Sequence, residues 1–207
     1  MYIPEYFRME DEDELHNFIR QNSFAILVTI AEGKPLASHI PVELEKDENG
    51  KFILRGHVAK NNPQSISIAE AKSALMIFQS AHSYVSSGWY AHLNVPTWNY
   101  TAVHVYGALR KMKDEELYNS LVQIVNRYET NEENPVKVEK MPIDFVSQML
   151  KGVTGFELNI ESIQGNFKLS QNRNAEDYKN IISHLEQSGE SNSMKVADEM
   201  KKRKPDK

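Results

Sequence analysis

Trp89, Tyr90, Trp98, Tyr100, His82 and His92 crowd one stretch of this chain, and both of its tryptophans are among them. The stretch lies between an apolar run that starts at Ala74 and an alternating one that ends at Gly107. A solvated connection has no use for so many rings. A site for a flat ligand uses them as walls, and a barrel end or a subunit interface uses them as packing. The residues alone leave both readings open.

A second chemistry is suggested by Leu54-Arg55-Gly56-His57-Val58-Ala59-Lys60-Asn61-Asn62-Pro63-Gln64, which leaves a strand and enters a helix. A helix start offers unpaired N–H groups and a partial positive charge, which suit phosphate. Lys60 and Arg55 would add full charge there. An ordinary capped helix with solvated basic neighbours accounts for the same residues. Lys168-Leu169-Ser170-Gln171-Asn172-Arg173 is dense in donors for a surface loop, and capping of the last helix by Asn172 or Asn174 is its plain alternative. Of the seven histidines none lies in HExxH, and no metal-ligand pattern is visible. His104 alternates with Val103 and Val105, as a strand residue lining a wall or pocket does. No Gly-x-Ser-x-Gly and no spacing of nucleophile and base appears. The tail cluster Lys201, Lys202, Arg203 and Lys204 reads as a solvated, flexible basic end rather than a nucleic-acid contact.

These residues need elements to hold them. Acidic residues open a helix over Glu10 to Gln21. Phe24 to Ile30 is an apolar run short enough for a buried strand. Leu36 to Leu44 returns as the second strand, and Asn49-Gly50 predicts a type I′ hairpin into the third, Lys51 to His57. Asn62-Pro63 caps a short helix. Ala74 to Ser80 and Thr101 to Met112 are the fourth and fifth strands, with the aromatic stretch as a loop between them. Asp114 to Glu129 and Ile143 to Leu150 read as helices. Gly155 to Gln164 alternates cleanly, with Phe156, Leu158 and Ile160 on one face and Glu157, Asn159 and Glu161 on the other. Ala175 to Leu185 is the last amphipathic helix. Hairpin-linked strands at short spacing predict a mainly β fold, a six-stranded antiparallel barrel with peripheral helices. The absence of a βαβ rhythm and of GxGxxG argues against a doubly wound dinucleotide fold.

The chain has 207 residues, 40% of them hydrophobic and 26% charged, which suits one soluble domain, or one domain plus a small appendage. A net charge of −5 builds in no attraction to nucleic acid. There is no cysteine, which excludes disulfides and thiolate chemistry and agrees with a cytoplasmic protein. No apolar run is long enough to span a bilayer, and the acidic start is no secretory signal.

Several segments, in this order, resemble one family. They are PLASHIPV (Pro35 to Val42), GHVAKNNPQ (Gly56 to Gln64), FQSAHSYVSSGWY (Phe78 to Tyr90), VPTWNYTAVHVYG (Val95 to Gly107) and GFELNIESIQGNFKLSQNR (Gly155 to Arg173). Together they look like the PaiB-type FMN-binding negative transcriptional regulators of the split-barrel flavoprotein superfamily, which also contains pyridoxamine-phosphate oxidase. Ser87 stands where the family pattern has a proline. The resemblance implies an FMN-binding split barrel over residues 1–173, followed by a C-terminal helix and tail over residues 174–207. It implies a cytoplasmic homodimer with FMN at the interface, acting as a repressor of degradative enzyme (protease) synthesis and sporulation. Arg55, His57, Lys60, Asn61 and Asn62 would take the flavin phosphate. Ser38, His39 and Ile40 would lie along the ring. Trp98, Asn99 and Tyr100 would come from the partner subunit, and Lys168, Ser170 and Gln171 would close the site. DNA is a further candidate partner, although no helix-turn-helix is visible. Two other functions fit such a barrel: a flavin-dependent oxidoreductase or flavin reductase, in which the cofactor carries the chemistry, and a haem-binding or haem-degrading protein using His39, His57 or His82.

Overall fold

The computed structural model describes residues 1–70, 73–203 and 205. Lys204 of the basic tail cluster lies outside the described residues. Strand β1 (Arg8–Met9) and helix α1 (Glu12–Gln21) lead into β2 (Phe24–Ala31), β3 (Lys34–Lys46) and β4 (Phe52–Ala59). Helix α2 (Gln64–Glu70), β5 (Ala74–Val85) and β6 (Thr97–Lys111) follow. Next come α3 (Asp114–Glu129), α4 (Ile143–Lys151), β7 (Val153–Lys168), α5 (Ala175–Gln187) and α6 (Ser191–Lys201).

The hydrogen-bonded strand order is β1-β7-β4-β3-β2-β5-β6, and β6 also pairs with β7. The six long strands therefore pair in a closed ring, which is the six-stranded barrel expected from the sequence. The seventh strand, β1, adds Arg8 and Met9 opposite Asn166 and Gly165 of β7 and is too short to show a period. The pairings of β2 with β3 and β5, and of β4 with β3 and β7, are all antiparallel.

The type I′ geometry expected at Asn49-Gly50 is found at the other hairpin. Asn49-Gly50 belongs to a wider loop in which Asp47 accepts from the amides of Asn49 and Lys51, and only Gly50 takes a positive φ there. The tight two-residue turn lies instead at Glu32-Gly33, with φ of 50° and 73° and Ala31 opposite Lys34. Positive φ at both central residues is the type I′ signature.

The chain divides into two compact units. One contains residues 19–78 and 105–163. Its core is built from Leu27, Val42, Ile53, Leu54, Met76, Phe78, Phe156 and Leu158, buried residues of the strands. Gly107 is needed here, because a Cβ on it would meet the Asn159 carbonyl oxygen at 2.0 Å. The other unit contains residues 1–18, 79–104 and 164–207. Phe18 and Phe167 pack at 5.2 Å, and α5 and α6 bury Tyr178, Ile181, Leu185, Val196, Ala197 and Met200. The tail expected to be flexible is thus helical through Lys201. Ser193, Val196, Ala197 and Met200 fall on one helical stripe, and small residues at two of these positions weaken its apolar signal. Among the described residues no helix is long and apolar enough to cross a membrane.

Candidate functional site

In the unit of residues 19–78 and 105–163, three expected site residues lie on β3. Alternation along the strand sends Ile40 into the core, so it has only its backbone to offer a ligand. His39 faces outward and stacks on Phe24 at 6.3 Å. Ser38 Oγ accepts from Asn62 Nδ2 at 2.8 Å, and Asn62 Oδ1 accepts from the Gln64 amide at 2.9 Å. Asn62 is therefore the expected cap, and it ties α2 to β3. Gln64 is buried beside it and donates to the carbonyls of Leu27 and Leu36 and to Thr29 Oγ1. Its Oε1 is buried with no partner.

Lys60 and Asn61 are exposed, and among the described residues neither side chain has a partner. His57 is partly buried, and desolvation holds its pKa below the usual imidazole value, so it is neutral near pH 7. Arg55 departs from expectation. Its guanidinium donates to Glu45 at 2.9 Å and to Glu157 at 2.9 and 3.0 Å, so it is already neutralised. Arg110 grips Glu157 from another strand and also holds Glu116 at the start of α3. A phosphate near α2 would thus rely on Lys60 and Asn61 and not on Arg55. A cavity of about 500 Å³ opens beside α2 between Ile30, Leu36, Pro63 and Ile66. None of the residues expected at the site lines it.

In the other unit, β6 begins at Thr97, so Trp98, Asn99 and Tyr100 belong to a strand and not to a loop. Trp98 is 52% exposed and is flanked by His82 at 5.8 Å and Tyr84 at 5.9 Å. These three rings form one aromatic surface. Trp89 stacks on His184 at 5.0 Å and 10°, which is a packing role. Asn99 is fully buried. Its Oδ1 accepts from Ser170 Oγ at 2.9 Å, and its amide lies 3.5 Å from Met200 Sδ. Gln171 closes its own loop, accepting from Leu169 N and donating to the Phe167 carbonyl. Tyr100 Oη accepts from Asn166 at 2.9 Å. Asn99, Ser170 and Gln171 therefore hold the loop in shape, including Ser170 at a φ of 63°. Lys168 donates to Thr97 Oγ1 at 2.6 Å, a neutral oxygen. Asn174, one of the two caps expected, receives the Asp177 amide at 2.8 Å.

Sequence reasoning missed Glu157, Arg110 and Gln64. Glu157, which shares a face of its strand with Asn159 and Glu161, and Gln64, which follows Asn-Pro, carried no local signal of burial.

The chain matches a family described as "Putative FMN-binding domain" over residues 1–162. It is 40% identical over 200 residues to the protease synthase and sporulation protein PAI 2 of Bacillus subtilis, covering 97% of this chain and 96% of that one. It is 32% identical over 216 residues to an uncharacterized protein of Emericella nidulans, covering 84% of this chain and 86% of that one. In fold it is similar to the flavocytochrome Anf3 of Azotobacter vinelandii (TM-score 0.60, 14% identity, 86% of this chain and 78% of that one). The FAD and haem binding protein of Mycobacterium smegmatis is similar too (TM-score 0.59, 15% identity, 83% of this chain and 78% of that one). At such identities the likeness is one of fold, and the fold is the split barrel.

Proposed function

The chain belongs to this FMN-binding domain family, and from that premise we propose that it is a flavin-binding negative regulator of protease synthesis and sporulation, working as a cytoplasmic homodimer. The observation that carries the regulatory reading is the likeness to the Bacillus subtilis protein along nearly the whole of both chains. Deletion of the gene should raise secreted protease activity, and unchanged protease and spore yields would refute this role.

The residues beside α2 fit the cofactor. Lys60 and Asn61 are uncommitted donors for a phosphate, and the orphaned Gln64 Oε1 is an acceptor that a ligand N–H or O–H would satisfy. Ser38 and Asn62 hold β3 and the helix start at one spacing. FMN would supply a redox-active ring there; the protein's part is to bind and orient it. Purified protein should bind one FMN per chain, with riboflavin weaker. Lys60→Ala should weaken FMN about tenfold and leave riboflavin unchanged, because only FMN carries the phosphate. Equal losses for the two ligands in a fluorescence titration would place the phosphate elsewhere.

The dimer is supported by the outer face of β2. Phe24 and Ile30 are each 67% exposed there, with Ile26 and Val28 between them and Pro41 and Pro35 opposite on β3. Such an apolar strip is costly in water and suits a subunit contact. Sedimentation should show a species of two chains, and Phe24→Asp should shift it to one. A wild-type monomer at micromolar concentration would refute the dimer.

Direct reading of DNA gains no support from the tail. Lys201 pairs with Glu186 and Asp198, Lys202 with Glu199, and Arg203 with Glu14 and Glu199. These cations are already neutralised, whereas DNA binding needs free ones. Regulation through a protein partner, or through a flavin-dependent change in metabolism, fits this surface better.

A further inference from the structure

In the unit of residues 1–18, 79–104 and 164–207, the loop before β6 carries an apolar prong. Leu93 is fully exposed and Val95 is 68% exposed. Two such side chains at one loop tip stand in water at a cost. The loop nevertheless holds them in one shape. Asn94 Oδ1 accepts from the Val95 amide at 2.9 Å, and Pro96 restricts the backbone of Val95. On the other side of the tip, the Ala91 amide donates to Asp177 Oδ1 at 2.8 Å, and His92 Nδ1 lies 3.2 Å from Asp177 Oδ2. Asp177 itself is fully buried in the first turn of α5. A prong anchored in this way loses little freedom when it is covered.

In the unit of residues 19–78 and 105–163, the cavity of about 500 Å³ beside α2 has the matching chemistry. Ile30, Leu36, Pro63 and Ile66 line it, with Glu32 and Lys34 of the tight turn. Ile66 is 68% exposed, as much as Val95. Apolar residues beside a charged edge are the anatomy of a protein–protein contact, and the volume has room for a leucine and a valine side chain. Ile30 belongs both to this cavity and to the apolar strip along β2. A partner lying on that strip therefore lies at the mouth of the cavity.

We propose that the occupant is a second copy of this chain. Leu93 and Val95 of each subunit seat against Ile30, Leu36, Pro63 and Ile66 of the other, and two-fold symmetry makes the contact twice. This inference rests on the homodimer reading and specifies it, by naming the segment that locks the two subunits together.

The chain has no cysteine, so a disulfide can be placed at a chosen pair of positions. Leu93→Cys and Ile66→Cys chains, carrying tags of different length, are co-expressed, purified together and oxidised. A covalent pair of one Leu93→Cys chain and one Ile66→Cys chain is expected on a non-reducing gel. In sedimentation, Leu93→Ala and Ile66→Ala should each raise the dimer dissociation constant about tenfold. The double variant should be little weaker than either, because both changes remove the same contact. Val136→Ala, at another exposed valine, should leave the constant unchanged, and circular dichroism checks that each variant is folded. A wild-type monomer would overturn this inference together with the dimer. A wild-type dimer whose cysteine variants give no mixed pair, or whose dissociation constant Leu93→Ala does not move, would overturn the seating of the prong and leave the dimer standing.

Discussion

Glu157→Ala should lower the unfolding free energy by about 3 kcal/mol, read as a fall in the urea midpoint with an unchanged slope. Glu157 is 4% exposed and receives four N–H bonds, two from Arg55 and two from Arg110. Its removal leaves two guanidinium groups facing each other, with only Glu45 and Glu116 to answer them. Breaking a buried pair from one side costs more than the pair contributes, because the remaining charge stays desolvated. Arg110 is over a third exposed, which keeps the expected figure at the low end. Glu157→Gln keeps the shape and loses the charge, and should fall between. A midpoint within experimental error of wild type would mean that the cluster does not hold α3 to the strands. The cluster also sets an acid limit. Hydrogen bonds from Arg110 and the Lys113 amide hold the Glu116 carboxyl at about 2, against an ordinary 4.5. A depressed carboxylate stabilises fully above its unfolded pKa. Its contribution is lost as pH falls from about 4.5 towards 2. In Glu116→Gln this part of the acid limb should disappear.

Gly107→Ala should be at least as damaging, at roughly 3 kcal/mol or more and a melting point lower by about 10 °C. The new Cβ would lie 2.0 Å from the Asn159 carbonyl oxygen and 2.7 Å from Leu158 Cδ2. A backbone oxygen in the β6–β7 pairing cannot step aside without opening the ring of strands. Gly33→Ala is the control. There φ is +73° and nothing lies within 4 Å, so only the left-handed backbone is strained, at about 1 kcal/mol. Equal melting points for the two variants would show that the strands can part locally at no cost.

Most of the strand and helix order was legible from periodicity and turn residues, because those signals are local. Gly107 entered only as the end of the aromatic stretch, although a glycine inside a strand marks a close approach of backbones. Glu157 went unrecognised for the opposite reason. Alternation set it on the face opposite Phe156 and Leu158, where Arg55, 102 residues away, and Arg110, 47 away, bury and pair it. Nothing within a window of the sequence announces such a meeting. The same meeting removes Arg55 from the phosphate site that its position beside Lys60 suggested. In the loop after β7, the donors of Ser170 and Gln171 looked like ligand contacts. They are spent on Asn99 and on the loop backbone, an outcome decided by geometry and not by composition.

The interleaving of the two units has a consequence for synthesis on the ribosome. Met1 bonds to Gln164, 163 residues later, and β1 has no strand to join until Gly165 and Asn166 have emerged. At about 5–20 residues per second, the N-terminal segment waits roughly ten to thirty seconds for its partner. Throughout that interval Phe18 has no Phe167 and Leu15 no Gly165 to pack against, and a nascent-chain chaperone would find its target there.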